Sequence, residues 1–276
     1  MKITILGQGV FGSSMASYLT HIGHSVRLDE VKDSEAIFVC TSSNIVLSSL
    51  LKFKNEISNQ KIIICSKGFT EDGKLLSEVL RENFKNELFF LSGPTLADEL
   101  NKEIFSGMVL AGGGGKEEIK KEIESENLYI ETSDDIIGVE VSSALKNVFT
   151  IFIGIVQGME CGQNTNAFVF SKAIGEMKNV GVVLGGRSET FLGLAGVGDL
   201  FLISRNRLLG IEIGKGRKID DVLKEMKSTP GGLFDIKNVK AMAQRLDIQI
   251  PFVELLYKMI FENYPINKVK EVIKKC

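Results

Sequence analysis

Three glycines near the start of the chain, spaced as Gly7-x-Gly9-x-x-Gly12, stand between a short apolar strand and an amphipathic helix. Gly7 permits a tight turn after the strand at 3–6, and Gly9 leaves the backbone open to a pyrophosphate. Gly12, with Ala16 one turn later, lets the helix close onto the strand. The N-terminus of that helix offers free N–H groups and a favourable dipole to an anion. The pattern therefore predicts a dinucleotide-binding Rossmann domain.

An acidic residue follows the next predicted strand, residues 25–28, at the distance this motif requires. Asp29 and Glu30 come where a Rossmann domain meets the adenosine ribose. A carboxylate at this point accepts hydrogen bonds from the ribose hydroxyls of NAD and repels the 2′-phosphate of NADP. We therefore favour NAD over NADP. The opposite preference would point to Lys32 or Arg27 as the contact to that phosphate.

Composition excludes several classes of protein. The chain has 276 residues, of which 44% are hydrophobic and 25% charged, and its net charge is −2. These values suit one or two globular domains and argue against a nucleic-acid or membrane-surface partner. No apolar run approaches the roughly 18 residues of a transmembrane helix. Because the chain also begins directly in a strand, we expect a cytoplasmic protein.

The cysteines and histidines do not form a pattern typical of a metal site or a nucleophile. The four cysteines are scattered without metal-ligand spacing, and both histidines lie near the end of the first helix. We interpret Cys40 and Cys65, in apolar strands, as buried small hydrophobic residues. Disulfides, a metal site and a Ser-His or Cys-His triad are therefore not expected. The acid–base group of an enzyme would be Lys, Asp or Glu.

The chain changes from alternating strands and helices to helices alone near residue 133. Strands are predicted at 35–41, 61–65, 88–91, 107–111 and 128–131, with helices at 44–53, 74–83 and 116–126. Strands that are apolar throughout indicate a mostly parallel sheet with both faces covered. Further helices are predicted at 136–158, 165–183, 206–214, 219–227, 236–246, 251–263 and 266–275. We predict an α/β Rossmann-type domain (1–133), an all-α domain (134–276) and a site between them.

A lysine stands in the middle of the most apolar helix, where Lys146 is followed by Asn147. One interpretation is a lysine at the rim of the core, with its stem on apolar surface. The other is a desolvated lysine with a lowered pKa, able to donate a proton to a carbonyl oxygen near neutral pH.

Other candidate side chains follow strand ends and a glycine-rich loop. Ser66-Lys67-Gly68 and the run from Ser92 to Glu99, with Gly93 and Thr95, each follow a strand, at the edge where open α/β sheets bind ligands. Residues 193–198 form a glycine-rich loop that ends in Asp199. Ser204 is a plausible helix N-cap. Arg205 and Asn206, in the first turn of that helix, are placed to bind a phosphate.

Taken together, these segments resemble the NAD(P)-dependent sn-glycerol-3-phosphate dehydrogenases of the bacterial type. The resemblance covers nearly the whole chain in order. Its motifs are Gly7-x-Gly9-x-x-Gly12, Ser66-Lys67-Gly68, Ser92 to Glu99, Gly138-Val-Glu140, Ala144-Leu-Lys-Asn147, Gly162-Gln-Asn164, Glu176-Met177, Gly193 to Leu200 and Ser204-Arg-Asn206.

The resemblance implies a role for each matching residue. Lys146 would be the catalytic proton donor and acceptor, Asp199 would orient it, and Lys67 would be a second cation nearby. The implied substrate contacts are Lys67, Gly93, Thr95, Lys146, Asn147, Asp199, Ser204, Arg205 and Asn206. The implied cofactor contacts are Gly7, Gly9, Val10, Phe11, Gly12, Asp29, Lys67, Ala97 and Arg205. The substrate would be dihydroxyacetone phosphate or sn-glycerol 3-phosphate, used in glycerophospholipid synthesis, and the protein could be a homodimer.

The chain departs from the family pattern at three places. The segment between Asp29 and Ala36 is far shorter, Ile203 replaces a hydroxyl residue, and Gly231 stands where the family has a cofactor-contacting glutamate. Two alternatives remain open at this point. One is a β-hydroxyacid or ketopantoate-type reductase, and the other is a nucleotide-binding sensor whose site has decayed.

Overall fold

The computed structural model describes residues 1–226 and 229–269, and the first half of them forms a seven-stranded sheet. Its order is β2-β1-β3-β4-β5-β6-β7, and all neighbours are parallel except β5 and β6. The strands are β1 Lys2–Leu6, β2 Ser25–Leu28, β3 Ala36–Val39, β4 Lys61–Ile64, β5 Leu88–Ser92, β6 Ser106–Gly112 and β7 Leu128–Ser133. The predicted mostly parallel sheet is confirmed.

Five helices accompany the sheet in the described part of the chain, and seven more follow it. The first five are α1 Val10–His21, α2 Val46–Leu51, α3 Leu76–Asn83, α4 Ala97–Leu100 and α5 Lys116–Ile123. The others are α6 Ile136–Gly158, α7 Gln163–Val183, α8 Asp199–Phe201, α9 Arg205–Gly214, α10 Ile219–Glu225, α11 Gly232–Leu246 and α12 Pro251–Phe261. Most predicted helices are confirmed within a few residues, while α4 was not predicted and α11 begins at Gly232 rather than 236. The predicted helix at 266–275 lies mostly outside the described residues.

The two edge strands are exceptions to the expected coverage of the sheet. In β7 the alternate residues Tyr129 and Glu131 are exposed, and β2 is more open still. Its residues are mostly exposed, and Leu28 is 47% exposed. The chain reaches β3 on the other side of β1 through a short segment, in which Asp29 and Asp33 adopt positive φ angles of 51° and 62°. So short a segment has no helix to lay over β2. The prediction that both faces of the sheet are covered is therefore wrong for this strand.

Helix α6 is the centre of the helical half. It is long and apolar enough to cross a membrane by length and composition, so the expectation that no segment approaches this length was wrong. However, 83% of its most apolar window is buried inside the protein. Val148, Ile151 and Ile155 belong to one large core built mainly by the helices. Burial on all sides explains why α6 is apolar nearly all round.

Helices α6 and α9 pack with their backbones in contact. A Cβ at Gly154 of α6 would lie 2.3 Å from the carbonyl oxygen of Arg207, and one at Gly210 of α9 would lie 2.1 Å from that of Ile151. Such distances leave no space for a side chain, so the approach depends on glycine at both positions. The contact holds the α9 N-terminus beside the middle of α6, where Lys146 lies.

Two buried carboxylates tie the start of α6 to neighbouring segments. Asp135 accepts hydrogen bonds from the Gly138 backbone N–H, 2.8 Å, and from the Thr190 hydroxyl, 2.6 Å. Glu140 accepts one from the Ser77 backbone N–H, 3.1 Å, and one from its hydroxyl, 2.5 Å. Ser77 lies in α3, so Glu140 joins the helical half to the sheet half. The domain boundary at residue 133 stays a prediction.

The Glu140 carboxyl predicts a particular dependence of stability on pH. Burial raises its pKa from 4.5 to about 7, although the hydrogen bonds from Ser77 lower it. Its contribution to the free energy of unfolding is therefore complete below pH 4.5 and is lost as the pH rises through 7. The loss corresponds to about 3 kcal/mol. Glu140→Gln should remove this loss, as measured by urea unfolding between pH 4.5 and 8.

The control for this prediction is an exposed acid on α3. Glu78→Gln, at an exposed position, should keep the pH dependence of the wild type. If Glu140→Gln and the wild type lost stability in parallel over this range, Glu140 would not be the group responsible.

Candidate active site

The glycine loop has the geometry of a dinucleotide cradle. Gly7 has a φ of +100°, and a Cβ there would lie 2.9 Å from the backbone of Cys40. A Cβ at Gly12 would lie 2.0 Å from the carbonyl oxygen of Gly7, whereas one at Gly9 would meet nothing within 4 Å. Val10, the first residue of α1, is half exposed. The loop is thus tight where strand meets helix and open where a pyrophosphate would bind, so these residues fit the cofactor.

Asp29 lies against this loop, as its place after β2 predicts. Its carboxylate accepts hydrogen bonds from the Gly7 backbone N–H, 3.2 Å, and from the side-chain amide of Gln8, 2.7 Å. The guanidinium of Arg27 is paired with Glu30 at 2.6 Å. An exposed carboxylate beside the glycine loop is placed to meet a ribose, whereas Arg27 already has an anionic partner.

A cavity of about 260 Å³ opens at the carboxyl ends of the strands, beside the N-terminus of α1. Its walls come from β3, β4, β5 and β6 and from α6. The lining residues are Phe11, Cys40, Thr41, Cys65, Ser66, Lys67, Leu91, Gly93, Thr95, Met108, Lys146 and Asn147. Cys40 and Cys65 were interpreted only as buried hydrophobic residues, but they also line the cavity. The structure thus brings Phe11, Lys67, Gly93, Thr95, Lys146 and Asn147 into one site.

Lys146, Asp199 and Lys67 form an ion-pair trio at this cavity, in which Lys146 and Asp199 are buried and the Lys67 side chain is 23% exposed. Lys67 Nζ lies 2.5 Å from Asp199 Oδ2, and Lys146 Nζ lies 2.8 Å from Asp199 Oδ1. Lys146 is 5% exposed and Asp199 1% exposed. The interpretation of Lys146 as a lysine at the rim of the core is therefore wrong.

Burial and charge set the protonation of the trio. Burial lowers the pKa of Lys146, the charge of Asp199 opposes this, and the charge of Lys67 adds to the lowering. Burial alone would raise the pKa of Asp199, but the two ammonium groups outweigh it and lower that pKa. Asp199 is consequently a stable anion, and Lys146 gives up its proton more easily than an ordinary lysine does.

The loop before Asp199 delivers this carboxylate to the strand ends. Leu194–Gly198 forms a wide turn of π type that runs directly into α8. A Cβ at Gly196 would lie 2.1 Å from the carbonyl oxygen of Phe191, so the turn packs on its own backbone. Gly198 faces the ring of Pro94 in the segment that carries Gly93 and Thr95. The glycines allow a close fold, and Asp199 is buried behind the two lysines rather than lining the cavity.

An amide pair extends the site from α6 to α9. The side-chain amide of Asn206 donates to the side-chain Oδ1 of Asn147 at 2.9 Å. The side-chain amide of Asn147 in turn donates to Asp235 Oδ2 at 3.3 Å. The backbone N–H of Gly232 donates to the side-chain Oδ1 of Asn206 at 3.1 Å. The N-terminus of α11 therefore supports both amides. Asp235 was not predicted, because an acid in the first turn of a helix usually indicates only a favourable helix dipole.

Ser204 and Arg205 lie at the N-terminus of α9, beyond the cavity lining. Ser204 occupies the predicted N-cap position, although its side chain makes no capping hydrogen bond. Arg205 is the first residue of the helix and is exposed. Thr95, on the cavity wall, donates to the Gly107 carbonyl oxygen at 3.2 Å, and Ala97 begins α4.

Several buried polar atoms without a hydrogen-bond partner gather around the site. Within the described residues these include Thr41 Oγ1, Ser92 Oγ, Asp199 Oδ1 and Ser204 Oγ. Asp199 Oδ1 nevertheless lies 2.8 Å from Lys146 Nζ and is held by that ion pair. Buried polar atoms in folded proteins usually have partners. Their concentration here is the pattern expected of groups that complete their hydrogen bonds with a ligand.

Comparison with known proteins agrees with this geometry. Residues 28–117 match the N-terminal family of NAD-dependent glycerol-3-phosphate dehydrogenase, and residues 135–271 match its C-terminal family. The first match begins after the glycine motif, beside the shortened segment that follows β2.

Whole-chain relatives extend the similarity to the glycine motif. Glycerol-3-phosphate dehydrogenase [NAD(P)+] of Thermoanaerobacter sp. is 31% identical, over 95% of this chain and 93% of the relative. The enzyme of that name from Francisella tularensis subsp. novicida is 30% identical, over 99% and 97%. That alignment runs over 321 positions, more than the 276 residues of this chain, so the relative has segments absent here.

A solved structure shows the same architecture throughout. The glycerol-3-phosphate dehydrogenase of Coxiella burnetii superimposes with a TM-score of 0.92, covers 99% of this chain and 98% of its own, and is 25% identical. The predicted order of a Rossmann-type domain and a helical domain is thus confirmed. The chain belongs to the family of NAD(P)-dependent glycerol-3-phosphate dehydrogenases.

Proposed function

We propose that this protein interconverts dihydroxyacetone phosphate and sn-glycerol 3-phosphate, with Lys146 as its proton donor and acceptor. The observation that carries the proposal is the ion-pair trio of Lys146, Asp199 and Lys67, whose two lysines line the cavity beside the glycine loop. In the reductive direction, the ketone at C2, a hydride and a proton give the secondary alcohol. A dinucleotide held at the glycine loop would supply the hydride in this direction and would accept it in the other.

Lys146 supplies the proton that this reaction needs. As the C2 oxygen gains negative charge, Lys146 Nζ donates a proton to it, and in the reverse direction the neutral amine takes the proton back. The lowered pKa of Lys146 makes both protonation states accessible nearer to neutral pH. Asp199, buried behind the two lysines, holds the ammonium of Lys146 in place. Lys67 adds positive charge that stabilises the developing alkoxide.

The phosphate of the substrate is assigned to the N-terminus of α9. Arg205 and Asn206 stand in the first turn of this helix, whose dipole and N–H groups favour an anion. Ser204 Oγ is buried without a partner and completes the group. A guanidinium and several N–H donors suit a phosphate dianion.

The two alternative functions lack a supporting observation. A ketopantoate-type reductase shares the general layout, but both halves of the chain match the glycerol-3-phosphate dehydrogenase family. A decayed site would have lost its charged groups, whereas all three groups of the trio are present and paired. Glycerophospholipid synthesis as the destination of the product, a cytoplasmic location and a homodimeric assembly stay predictions.

Lys146→Ala tests the proton-transfer role directly. Because the general acid is lost, kcat with dihydroxyacetone phosphate should fall by about 100-fold or more, while the Kd for NADH changes little. The measurements are steady-state NADH oxidation and NADH fluorescence titration. Lys61→Ala is the matched control, because Lys61 also pairs with a carboxylate, Glu118, but lies outside the cavity. Near-normal turnover of Lys146→Ala would remove this residue from the mechanism.

The position of Asp29 predicts the cofactor preference. The kcat/KM with NADH should exceed that with NADPH, because a carboxylate at the ribose accepts hydrogen bonds from hydroxyls and repels a phosphate. Asp29→Ser should lower the ratio of kcat/KM with NADH to kcat/KM with NADPH by about tenfold or more. Asp33→Ser, in the same segment but not against the glycine loop, should leave it unchanged. A wild-type preference for NADPH would contradict this assignment and would point to Lys32 or Arg27.

A further inference from the structure

The carboxyl of Asp235 is buried beside the site but has no part in the proton transfer described above. It lies in the first turn of α11 and is 2% exposed. Its Oδ2 accepts a hydrogen bond from the Asn147 amide, which lines the cavity. A buried carboxyl beside a side chain that lines the cavity calls for an explanation, because burying a carboxyl is costly unless hydrogen bonds or a charge partner compensate it.

Gly68 makes room for this carboxyl. A Cβ at Gly68 would lie 2.5 Å from Asp235 Oδ1, and the φ of Gly68 is +137°, which L side chains rarely adopt. Asp235 is therefore packed between the loop that carries Lys67 and the amide of Asn147. The Ser66-Lys67-Gly68 motif thus has a second use, because its glycine admits the Asp235 side chain.

A chain of three hydrogen bonds leads from Gly232 to Asp235 by way of two side-chain amides, and each donor points toward Asp235. A backbone N–H can only donate, so the N–H of Gly232 requires the side-chain Oδ1 of Asn206, and not its amide nitrogen, to face it. The Asn206 amide nitrogen then donates to Asn147, whose own amide nitrogen donates to Asp235. Both amide oxygens are thereby engaged, and each amide nitrogen carries a second N–H that these bonds do not use. Such N–H groups suit the oxygens of an anion.

We propose that Asp235 is a positioning residue for the phosphate end of the substrate. It holds the Asn147 amide, and through it the Asn206 amide, with their remaining N–H groups free to donate to phosphate oxygens. This inference rests on the proposed function, because the phosphate concerned is that of dihydroxyacetone phosphate or sn-glycerol 3-phosphate. Asp235 itself touches Asn147 and not the substrate.

The charge state of Asp235 is compatible with an anion nearby. Burial raises its pKa from 3.8 to about 8, although the hydrogen bond from Asn147 lowers it. At pH 7 the carboxyl is therefore mostly neutral and does not repel a phosphate dianion. What Asp235 contributes is a hydrogen-bond acceptor, which a neutral amide can also provide.

Two substitutions of similar shape separate the hydrogen-bond acceptor of Asp235 from its carboxyl group. Asp235→Asn keeps an acceptor for Asn147, so its KM for dihydroxyacetone phosphate should stay within about threefold of the wild type. Asp235→Leu has the same branching but no acceptor, and the buried Asn147 N–H loses its partner. Its KM should rise by about tenfold to a hundredfold, with kcat changed by less than about threefold. Unphosphorylated dihydroxyacetone should show almost no change in kcat/KM.

Asp220→Leu is the control, because it removes an exposed acid from the first turn of α10. If Asp235→Leu does not fold, as judged by circular dichroism and urea unfolding, Asp235→Ala removes the acceptor with less bulk. Calorimetric titration of each variant with sn-glycerol 3-phosphate measures binding without turnover. A loss of affinity in Asp235→Leu that Asp235→Asn restores supports the proposal even if catalysis is absent.

Three results would overturn the inference. They are an unchanged KM in Asp235→Leu, an equal loss on dihydroxyacetone phosphate and dihydroxyacetone, and an Asp235→Asn variant as impaired as Asp235→Leu. Wild-type protein that binds sn-glycerol 3-phosphate but does not oxidise NADH with dihydroxyacetone phosphate would contradict the proposed function alone. Wild-type protein that does not bind sn-glycerol 3-phosphate would contradict both.

Discussion

The carboxylate of Asp199, buried between the ammonium groups of Lys67 and Lys146, is the contact on which the site depends. One lysine follows a strand of the sheet and the other lies in the central helix of the second half, so one anion joins both halves at the cavity. Removing Asp199 would leave two ammonium groups side by side without their counter-ion, and breaking a buried ion pair in this way typically costs about 3–5 kcal/mol. The same charges that hold the site together also set the protonation of Lys146.

The rest of the fold holds these three side chains in their positions relative to one another. Glycines at the crossing of α6 and α9 bring the two backbones into contact, which places Asn206 against Asn147 one residue after Lys146. The hydrogen bonds from Ser77 to Glu140 fix the start of α6 against the sheet half. The π-type turn before α8 delivers Asp199 from the other side. The geometry of the site therefore depends on close backbone packing, both between helices and within the turn that carries Asp199.

Sequence periodicity and motif chemistry predicted the sheet and the bounds of α6, because these signals are local. Together with the family resemblance they predicted half of the residues that line the cavity. They could not show that Asp199 lies between Lys67 and Lys146, which are far apart along the chain. The resemblance to a family supplied that expectation. Ser204 stands at the N-cap position as its residue type predicts, yet its side chain makes no capping hydrogen bond. Asp235 was missed because its role depends on Gly68 and Asn147, which only the folded chain brings to it.

The most direct test of this account is the pKa of the Lys146 ammonium, measured by NMR titration of protein labelled at the lysine side chains. Lys146→Arg identifies the resonance by its disappearance. The structure predicts a pKa below the ordinary 10.5 for Lys146, because burial and Lys67 together outweigh the attraction of Asp199. Replacing Lys67 by Met should raise that value, since a neighbouring positive charge is lost. A wild-type pKa at or above 10.5 would contradict the proposed protonation of the site.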